Sequence, residues 1–252
     1  MKITFLGTGT SVGVPRIGCF CPVCTSDDPK NKRLRCALHI EHDGYSILVD
    51  TGPDLRTQAL AYGLNRVDAV LFTHGHADHL HGLDDVRCYC FDRDSPLPCH
   101  ADARTIERIE RVFDYAFEEN APSTTPQIEL VEIDGTFELF GLKIEPLSVY
   151  HGRLPVLAFR IGSFAYVTDT NRIPQESMTQ LQDLDVLVLD ALRHKKHPTH
   201  FNVEQALEVV EELKPKRTYF THMAHDLEHH ATNAALPNHV QLAYDGLELE
   251  IS

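Results

Sequence analysis

The stretch Thr73-His74-Gly75-His76-Ala77-Asp78-His79 packs four metal-binding side chains into six positions. Neutral imidazole nitrogens and a hard carboxylate oxygen form a donor mixture suited to zinc, manganese or iron. His74 and His76, at i and i+2, can grip one ion, while Asp78 and His79 lie beyond the turn and can grip another. Paired divalent cations of this kind polarise a phosphoryl or acyl group and activate water near neutral pH. A polar surface loop rich in histidine is the alternative reading of the same residues.

A second cluster is Cys19-Phe20-Cys21-Pro22-Val23-Cys24, in a loop near 18–36. It offers three thiolates, and a fourth ligand from elsewhere would close a tetrahedral zinc site of the structural type. Three loop thiols without metal are the alternative. The chain has seven cysteines, an odd number too unevenly placed for a disulfide framework. Cys36, Cys88, Cys90 and Cys99 have no partner spacing and read as small buried hydrophobes. On its residues alone, the segment with His194, His197 and His200 reads as a histidine-rich surface loop.

A buried strand must deliver the first of these ligands, and the apolar run 67–72 directly before His74 supplies it. Further strands are expected at 2–6, 37–41, 45–50, 127–133, 136–140, 142–149, 156–161, 164–168, 217–221 and 247–251. Asp43-Gly44 marks a hairpin turn. Pro53 suits the first turn of a helix running to about Tyr62. Ile106, Ile109, Phe113 and Phe117 mark an amphipathic helix, and residues 121–126 read as a loop. Asn202 with Gln205 resembles an N-cap and its box partner, ahead of a helix face of Val203, Ala206, Leu207 and Val210. Gly7-Thr8-Gly9, continuing to Pro15, looks only superficially like a dinucleotide loop. Its third glycine comes one position late, and Pro15 and Gly18 follow where a helix should run.

Six apolar runs end in histidine or aspartate, at Asp50, His74, His151, Asp169, Asp190 and His222. Strand ends in layered α/β folds converge on one rim, where ligands bind. One such residue would be a turn or cap; six in one chain point to a shared site. Asp50 has two readings, orienting a metal-bound histidine or capping the helix beside Pro53. Asp190 is equally open.

The net charge is −14, from 23 basic and 37 acidic residues. That balance argues against broad contact with phosphate backbones, so extended nucleic acid is not expected as a partner. No run of 18 apolar residues occurs, so no membrane span is expected. The opening Met1-Lys2-Ile3-Thr4-Phe5-Leu6 is a short strand pattern without the apolar region of a signal peptide, and a reducing cytoplasm is the expected compartment. With no internal repeat and no linker-like shift, residues 1–252 are expected to form one domain. A homodimer is left open.

From end to end the chain resembles a metallo-β-lactamase-fold hydrolase. The resemblance rests on H-x-H-x-D-H, the later His151, Asp169 in Thr168-Asp169-Thr170, and His222 in Thr221-His222. It implies an α/β fold of the αββα sandwich type, two mixed β-sheets flanked by helices, with two divalent metals in a cleft. It assigns His74, His76 and His151 to the first metal and Asp78, His79 and His222 to the second. Asp169 would bridge both, together with a water or hydroxide. No cysteine falls among these seven positions. Zinc β-lactamases with a cysteine ligand differ in that respect, which turns the reading away from lactam hydrolysis.

Within the superfamily the chain is similar to PhnP-type phosphodiesterases, which act on cyclic phosphates. The carrying features are Gly18 through Cys24, His200 before a helix, and Thr221-His222-Met223-Ala224-His225. The resemblance implies a separate structural zinc on Cys19, Cys21, Cys24 and His225, and catalytic roles for His200 and Asp78. It further implies attack of a metal-bridging hydroxide on a small phosphodiester substrate, with zinc, manganese or iron in the cleft. No arginine cluster suited to a dianion is evident in the sequence, so diesters are expected ahead of monoesters. A ribonuclease Z-like processor would share the metal motif but should show a basic arm or face. A PqqB-like cofactor-biosynthesis protein would share the cysteine loop, and thioester or lactone hydrolysis would fit the same scaffold. A metal-storing or scaffold protein is the non-enzyme reading.

Overall fold

The central strands of this chain are apolar on both faces, and the computed structural model shows why: there each sheet is covered on one side by its partner and on the other by helices. The structure describes residues 1–91, 93–118 and 124–251. In chain order the elements are β1 (Lys2–Gly7), β2 (Ala37–His42), β3 (Tyr45–Val49), α1 (Leu55–Tyr62), β4 (Ala69–Leu71), α2 (Ala77–Leu80) and β5 (Leu97–Ala101). There follow α3 (Ala103–Val112), β6 (Ile128–Glu132), β7 (Phe137–Leu139), β8 (Leu142–His151), β9 (Leu154–Ile161), β10 (Phe164–Val167) and α4 (Gln175–Gln180). The chain closes with β11 (Val186–Asp190), α5 (Val203–Leu213), β12 (Arg217–Thr221), α6 (His229–Ala235), β13 (Val240–Leu242) and β14 (Glu248–Glu250).

Two seven-stranded sheets result, ordered β14-β1-β2-β3-β4-β5-β6 and β13-β12-β11-β10-β9-β8-β7. Both are mixed: β3 to β6 and β10 to β13 run parallel, and the remaining pairs are antiparallel. Strand β11 illustrates the layering. Val186 and Val188 point into the seam between the sheets, while Leu187 and Leu189 pack outward under α4 and α5. A strand with two buried faces must be apolar at every position, whereas one facing water would alternate. The αββα sandwich expected from the sequence is the fold observed.

Several boundaries moved. Helix α1 begins at Leu55, after Pro53 rather than on it, and the Asp54 carboxylate binds Arg35 through its backbone N–H and Nη1, both at 2.9 Å, instead of capping. The amphipathic helix ends at Val112 and Phe117 lies beyond a following 3₁₀ turn. Strand β5 was not legible because Pro98 and His100 interrupt its apolar pattern; its position between β4 and β6 is a tertiary fact. The capping box of α5 is present, with Asn202 Oδ1 accepting from Gln205 N and Gln205 Oε1 accepting from Asn202 N. Such a cap contributes about 1 kcal/mol. Of the loop expected over 121–126, residues 121–123 lie outside the described residues. Among the described residues, no helix is long and apolar enough to cross a membrane.

Candidate functional site

The parallel strands deliver their C-terminal ends to one rim, and six of the chemistry-bearing residues stand there. Asp50 follows β3, His74 follows β4, His151 ends β8, Asp169 follows β10, Asp190 ends β11 and His222 follows β12. Three of them have left-handed backbones: Asp50 at φ 65°, Asp169 at φ 49° and His222 at φ 58°. Non-glycine residues adopt this conformation at a cost of order 1–3 kcal/mol, sustained where surrounding structure dictates it. Here it turns each side chain sharply off its strand and into a common cleft.

Asp169 is the hub. Its Oδ2 lies 2.9 Å from His79 Nε2 and 3.1 Å from His222 Nε2, and its Oδ1 lies 4.0 Å from His74 Nε2. Asp78 Oδ2 stands 3.3 Å from His79 Nε2 and 3.6 Å from His222 Nε2. Potential ligand atoms group as Asp78-His79-Asp169-His222, His74-His76-Asp169 and His151-Asp169-His200. The two ligand sets implied by the resemblance therefore meet at Asp169. His151 enters through Asp169 and His200, with its ring 5.2 Å from that of His76.

The outer ring nitrogens of His74, His79, His151 and His200 are committed elsewhere. His79 Nδ1 donates to Asp50 Oδ2 at 2.7 Å. Thr73 donates to Asp50 through both N and Oγ1, each at 2.8 Å. Its hydroxyl oxygen is then left to accept from His74 Nδ1 at 3.0 Å. His151 Nδ1 donates to the Thr199 carbonyl at 2.9 Å, and His200 Nδ1 donates to Asp190 Oδ2 at 2.8 Å. Four imidazoles thus turn Nε2 towards the cleft, the arrangement by which ligating histidines are oriented. Asp50 is the orienting group, not a helix cap, and Asp190 does the same for His200.

Buried Nε2 atoms of His74, His79 and His222 have no hydrogen-bond partner, although carboxylate oxygens lie close by. Buried polar atoms are rarely left unpaired. Lone pairs and carboxylate oxygens that converge without bonding one another fit divalent cations. The charges agree. Against the cost of burial, Asp169 and Asp78 raise His222 to about 9 and, with Asp50, lift His79 well above its ordinary value. Despite its own burial, Asp169 is held well below the carboxylate range by His222 and His79. The carboxylates thus favour positive charge at His79 and His222, whereas burial and His79 push His74 well down, and burial lowers His151.

Backbone packing fixes this loop. The Thr51 N–H donates to the His79 carbonyl at 2.7 Å. A Cβ at Gly52 would overlap the Asp78 carbonyl oxygen. Only glycine lets the two segments approach so closely.

The cysteine loop meets His225. Sulfurs of Cys19, Cys21 and Cys24 lie 3.3, 3.2 and 3.5 Å from His225 Nδ1. A tetrahedral zinc with Zn–S of about 2.3 Å and Zn–N of about 2.0 Å has an S···N edge of roughly 3.5 Å. The four side chains are thus spaced as such an ion requires. The Cys24 backbone N–H and His225 together lower the Cys21 thiol to about 6. Arg33, 1% exposed, donates to the carbonyls of Ala224 and Leu227 and locks the two loops together.

Two expectations are corrected. Cys36, Cys90 and Cys99 are buried, but Cys88 is exposed, on the outer side of a 3₁₀ turn between Arg87 and Tyr89. The cleft does have arginines beside it: Arg104, Arg108 and Arg111 of α3 line a cavity with His74 and His76. Their spacing of four and three residues was readable as one helix face, yet nothing in the sequence showed where α3 docks. Thr73 and Thr199 were likewise unmarked, since their roles come from position against a ring nitrogen.

Residues 45–223 match the beta-lactamase superfamily domain. The chain belongs to that superfamily. It has the metallo-β-lactamase fold, and the crystal structure of a diphosphatase from the PhnP family superposes on it with a TM-score of 0.94 at 47% identity, covering 98% of this chain and 96% of that one. Zn(2+)-bound PqqB from Methylobacterium extorquens shares the fold, with a TM-score of 0.78 at 21% identity over 100% of both chains. Among curated proteins, an octanoyltransferase of Porphyromonas gingivalis is 40% identical over 253 residues, covering 98% of this chain and 51% of the relative. The chain spans about half the length of the curated relatives it matches first.

Proposed function

We propose that this superfamily member is a dinuclear-metal-dependent phosphodiesterase acting on small phosphodiesters, cyclic ones included. The observation that carries the reading is the convergence of unpaired imidazole nitrogens and carboxylates on Asp169, together with a histidine outside that set, His200, held at the cleft by Asp190. Likeness to a PhnP-family diphosphatase supports the phosphorus chemistry.

His74, His76 and His151 would hold one cation, Asp78, His79 and His222 a second, and Asp169 both. The donor set, free of thiolate, suits zinc, manganese or iron. Such a pair supplies charge neutralisation at the phosphoryl oxygens and a lowered water pKa. The chain's own residues do the rest. His200 keeps Nε2 for the departing oxygen, to which a proton on that atom would pass. Asp190 holds the ring in the required tautomer and offsets the charge of a protonated imidazole. Asp78, beside His222 and His79, anchors the second position and stands among the reacting groups. Cys19, Cys21, Cys24 and His225 would hold a structural zinc.

Elemental analysis of protein purified without chelator tests the metal count. It should find close to three metals per chain. Asp169→Ala should lose both cleft ions and retain the cysteine-loop zinc. Retention of all metal by that variant would contradict the assignment. A second reading, hydrolysis of an acyl thioester, is favoured by the relative named octanoyltransferase. Turnover of an octanoyl thioester in preference to any diester would select it.

A further inference from the structure

Three loops of the cleft rim meet at Asn171. One turns from β8 into β9 through His151 and Gly152, one follows β10 through Asp169, and one joins β11 to α5 and carries His200. Asn171 sits on the second and holds the other two. Its backbone N–H donates to the Tyr150 carbonyl at 3.0 Å. Its Oδ1 accepts from the Gly152 N–H at 2.8 Å, and its Nδ2 donates to the Pro198 carbonyl at 3.0 Å. The two side-chain partners have opposite polarity, a task for which a primary amide carries both an acceptor and donors. A carboxylate of the same shape would turn a second acceptor on the Pro198 carbonyl.

The peptide after His200 is held by Thr170, whose carbonyl accepts from Phe201 N at 2.8 Å. Asp190 Oδ2 takes both the ring Nδ1–H of His200 and the Thr170 N–H at 2.8 Å. Before His200 the chain binds mainly to itself. Arg193 donates to the carbonyls of Lys195 and Lys196, and His197 Nδ1 accepts from Thr199 N at 3.4 Å. Among the described residues, the segment 195–199 is tied to other loops by two hydrogen bonds. One is the Asn171 bond to Pro198, and the other joins His151 Nδ1 to the Thr199 carbonyl at 2.9 Å. A Cβ on Gly152 would stand 3.0 Å from Thr199 Cγ2, so the same loops also touch. His151 belongs to the first ligand set; Asn171 belongs to neither.

We propose that Asn171 is a positioning residue that sets the His200 imidazole against the departing oxygen. It acts through the Pro198 carbonyl, two residues before His200. The inference rests on the phosphodiesterase reading with His200 as the acid, and it adds a residue outside the seven ligands. Without the amide donor, the peptide that enters His200 loses one of its two outside holds while Asp190 still grips the ring. A misplacement of about 1 Å in a reacting group can cost about 100-fold in rate.

Asn171→Asp tests this, because it keeps an acceptor for Gly152 and removes the donor for Pro198. The substrates are adenosine 2′,3′-cyclic phosphate, which expels an alkoxide, and bis(p-nitrophenyl) phosphate, whose p-nitrophenolate departs with little protonation. With metal-loaded protein, kcat on the cyclic diester should fall about 10–100-fold with KM held, as loss of an interaction made only in the transition state requires. The loss on bis(p-nitrophenyl) phosphate should be several-fold smaller, and the metal content should be native. The ratio of the two rates is internal to each sample, so partial loss of folded protein does not alter it. In a His200→Ala background the same substitution should cost nothing further on the cyclic diester, because residues that act through one another are not additive. Equal losses on both substrates, loss of a cleft ion, or full additivity with His200→Ala would each overturn the positioning role and leave Asn171 a general brace. Native kinetics in Asn171→Asp would overturn it too. If His200→Ala itself shows no selective loss on the cyclic diester, the acid role falls and the positioning role with it, while the phosphodiesterase reading stands. Turnover of neither diester by the native protein removes that reading as well.

Discussion

At the residue scale, the protein fixes four of its cleft imidazoles, those of His74, His79, His151 and His200, by what their Nδ1 atoms touch. Asp50, Thr73, Thr199 and Asp190 are the partners. None of the four would bind a cation in the roles seen here, yet each decides which nitrogen faces the cleft. His200 is the residue whose role can be tested apart from metal binding. His200→Ala should retain both cleft metals and lose roughly 10²–10⁴ in rate on diesters with alkyl leaving groups, the usual span for general acid–base help. The loss should shrink with p-nitrophenolate, which needs little protonation on departure. Equal, small losses on both substrates would reject the acid role. The seven candidate ligands were legible because His74, His76, Asp78 and His79 share one dense motif and His151, Asp169 and His222 close apolar runs, the pattern that carries the family resemblance. Asp50 and Asp190 were visible but undecided, because a carboxylate after a strand reads equally well as a cap.

At the element scale, two loops and the strand ends between them do the positioning. The cysteine loop and the segment 222–228 are joined through Arg33 and through the meeting of Cys19, Cys21 and Cys24 with His225. His225 lies three residues after His222, so the cysteine loop braces the strand end that carries a cleft histidine. Cys21→Ser should therefore lose one zinc per chain and a large share of thermal stability, since closed zinc sites contribute folding energy. Full metal content in that variant would refute the cysteine assignment. Strands with two buried faces were readable as continuous apolar runs, and α5 as a capped amphipathic helix. Strand β13, three residues long, and the four-residue α2 were not, because periodicity needs more positions than they have.

At the scale of the whole molecule, the sandwich brings residues from positions 50 to 222 to one rim, and its outer layers hold titratable groups unrelated to the cleft. His229 of α6 is 4% exposed, and burial, with Lys30 and Arg33 nearby, lowers it to about 4. The folded state thus resists a proton that the unfolded chain takes up near its ordinary value of about 6.5. Stability from this group is present above that value and is lost as pH falls towards about 4. His229→Gln should flatten the decline of Tm over this window, by an amount corresponding to roughly 1–3 kcal/mol. Parallel Tm profiles for the two proteins would show that the imidazole is not the source. The sequence disclosed the layered architecture through its strand-end residues but not the docking of α3, which depends on Gly75 meeting the Arg108 stem. The most direct measurement of the proposed activity is hydrolysis of bis(p-nitrophenyl) phosphate beside p-nitrophenyl phosphate by the metal-loaded protein. The diester should have the higher kcat/KM, and chelation should abolish its turnover. Faster hydrolysis of the monoester, or diester turnover that survives complete removal of metal, would contradict a dinuclear phosphodiesterase.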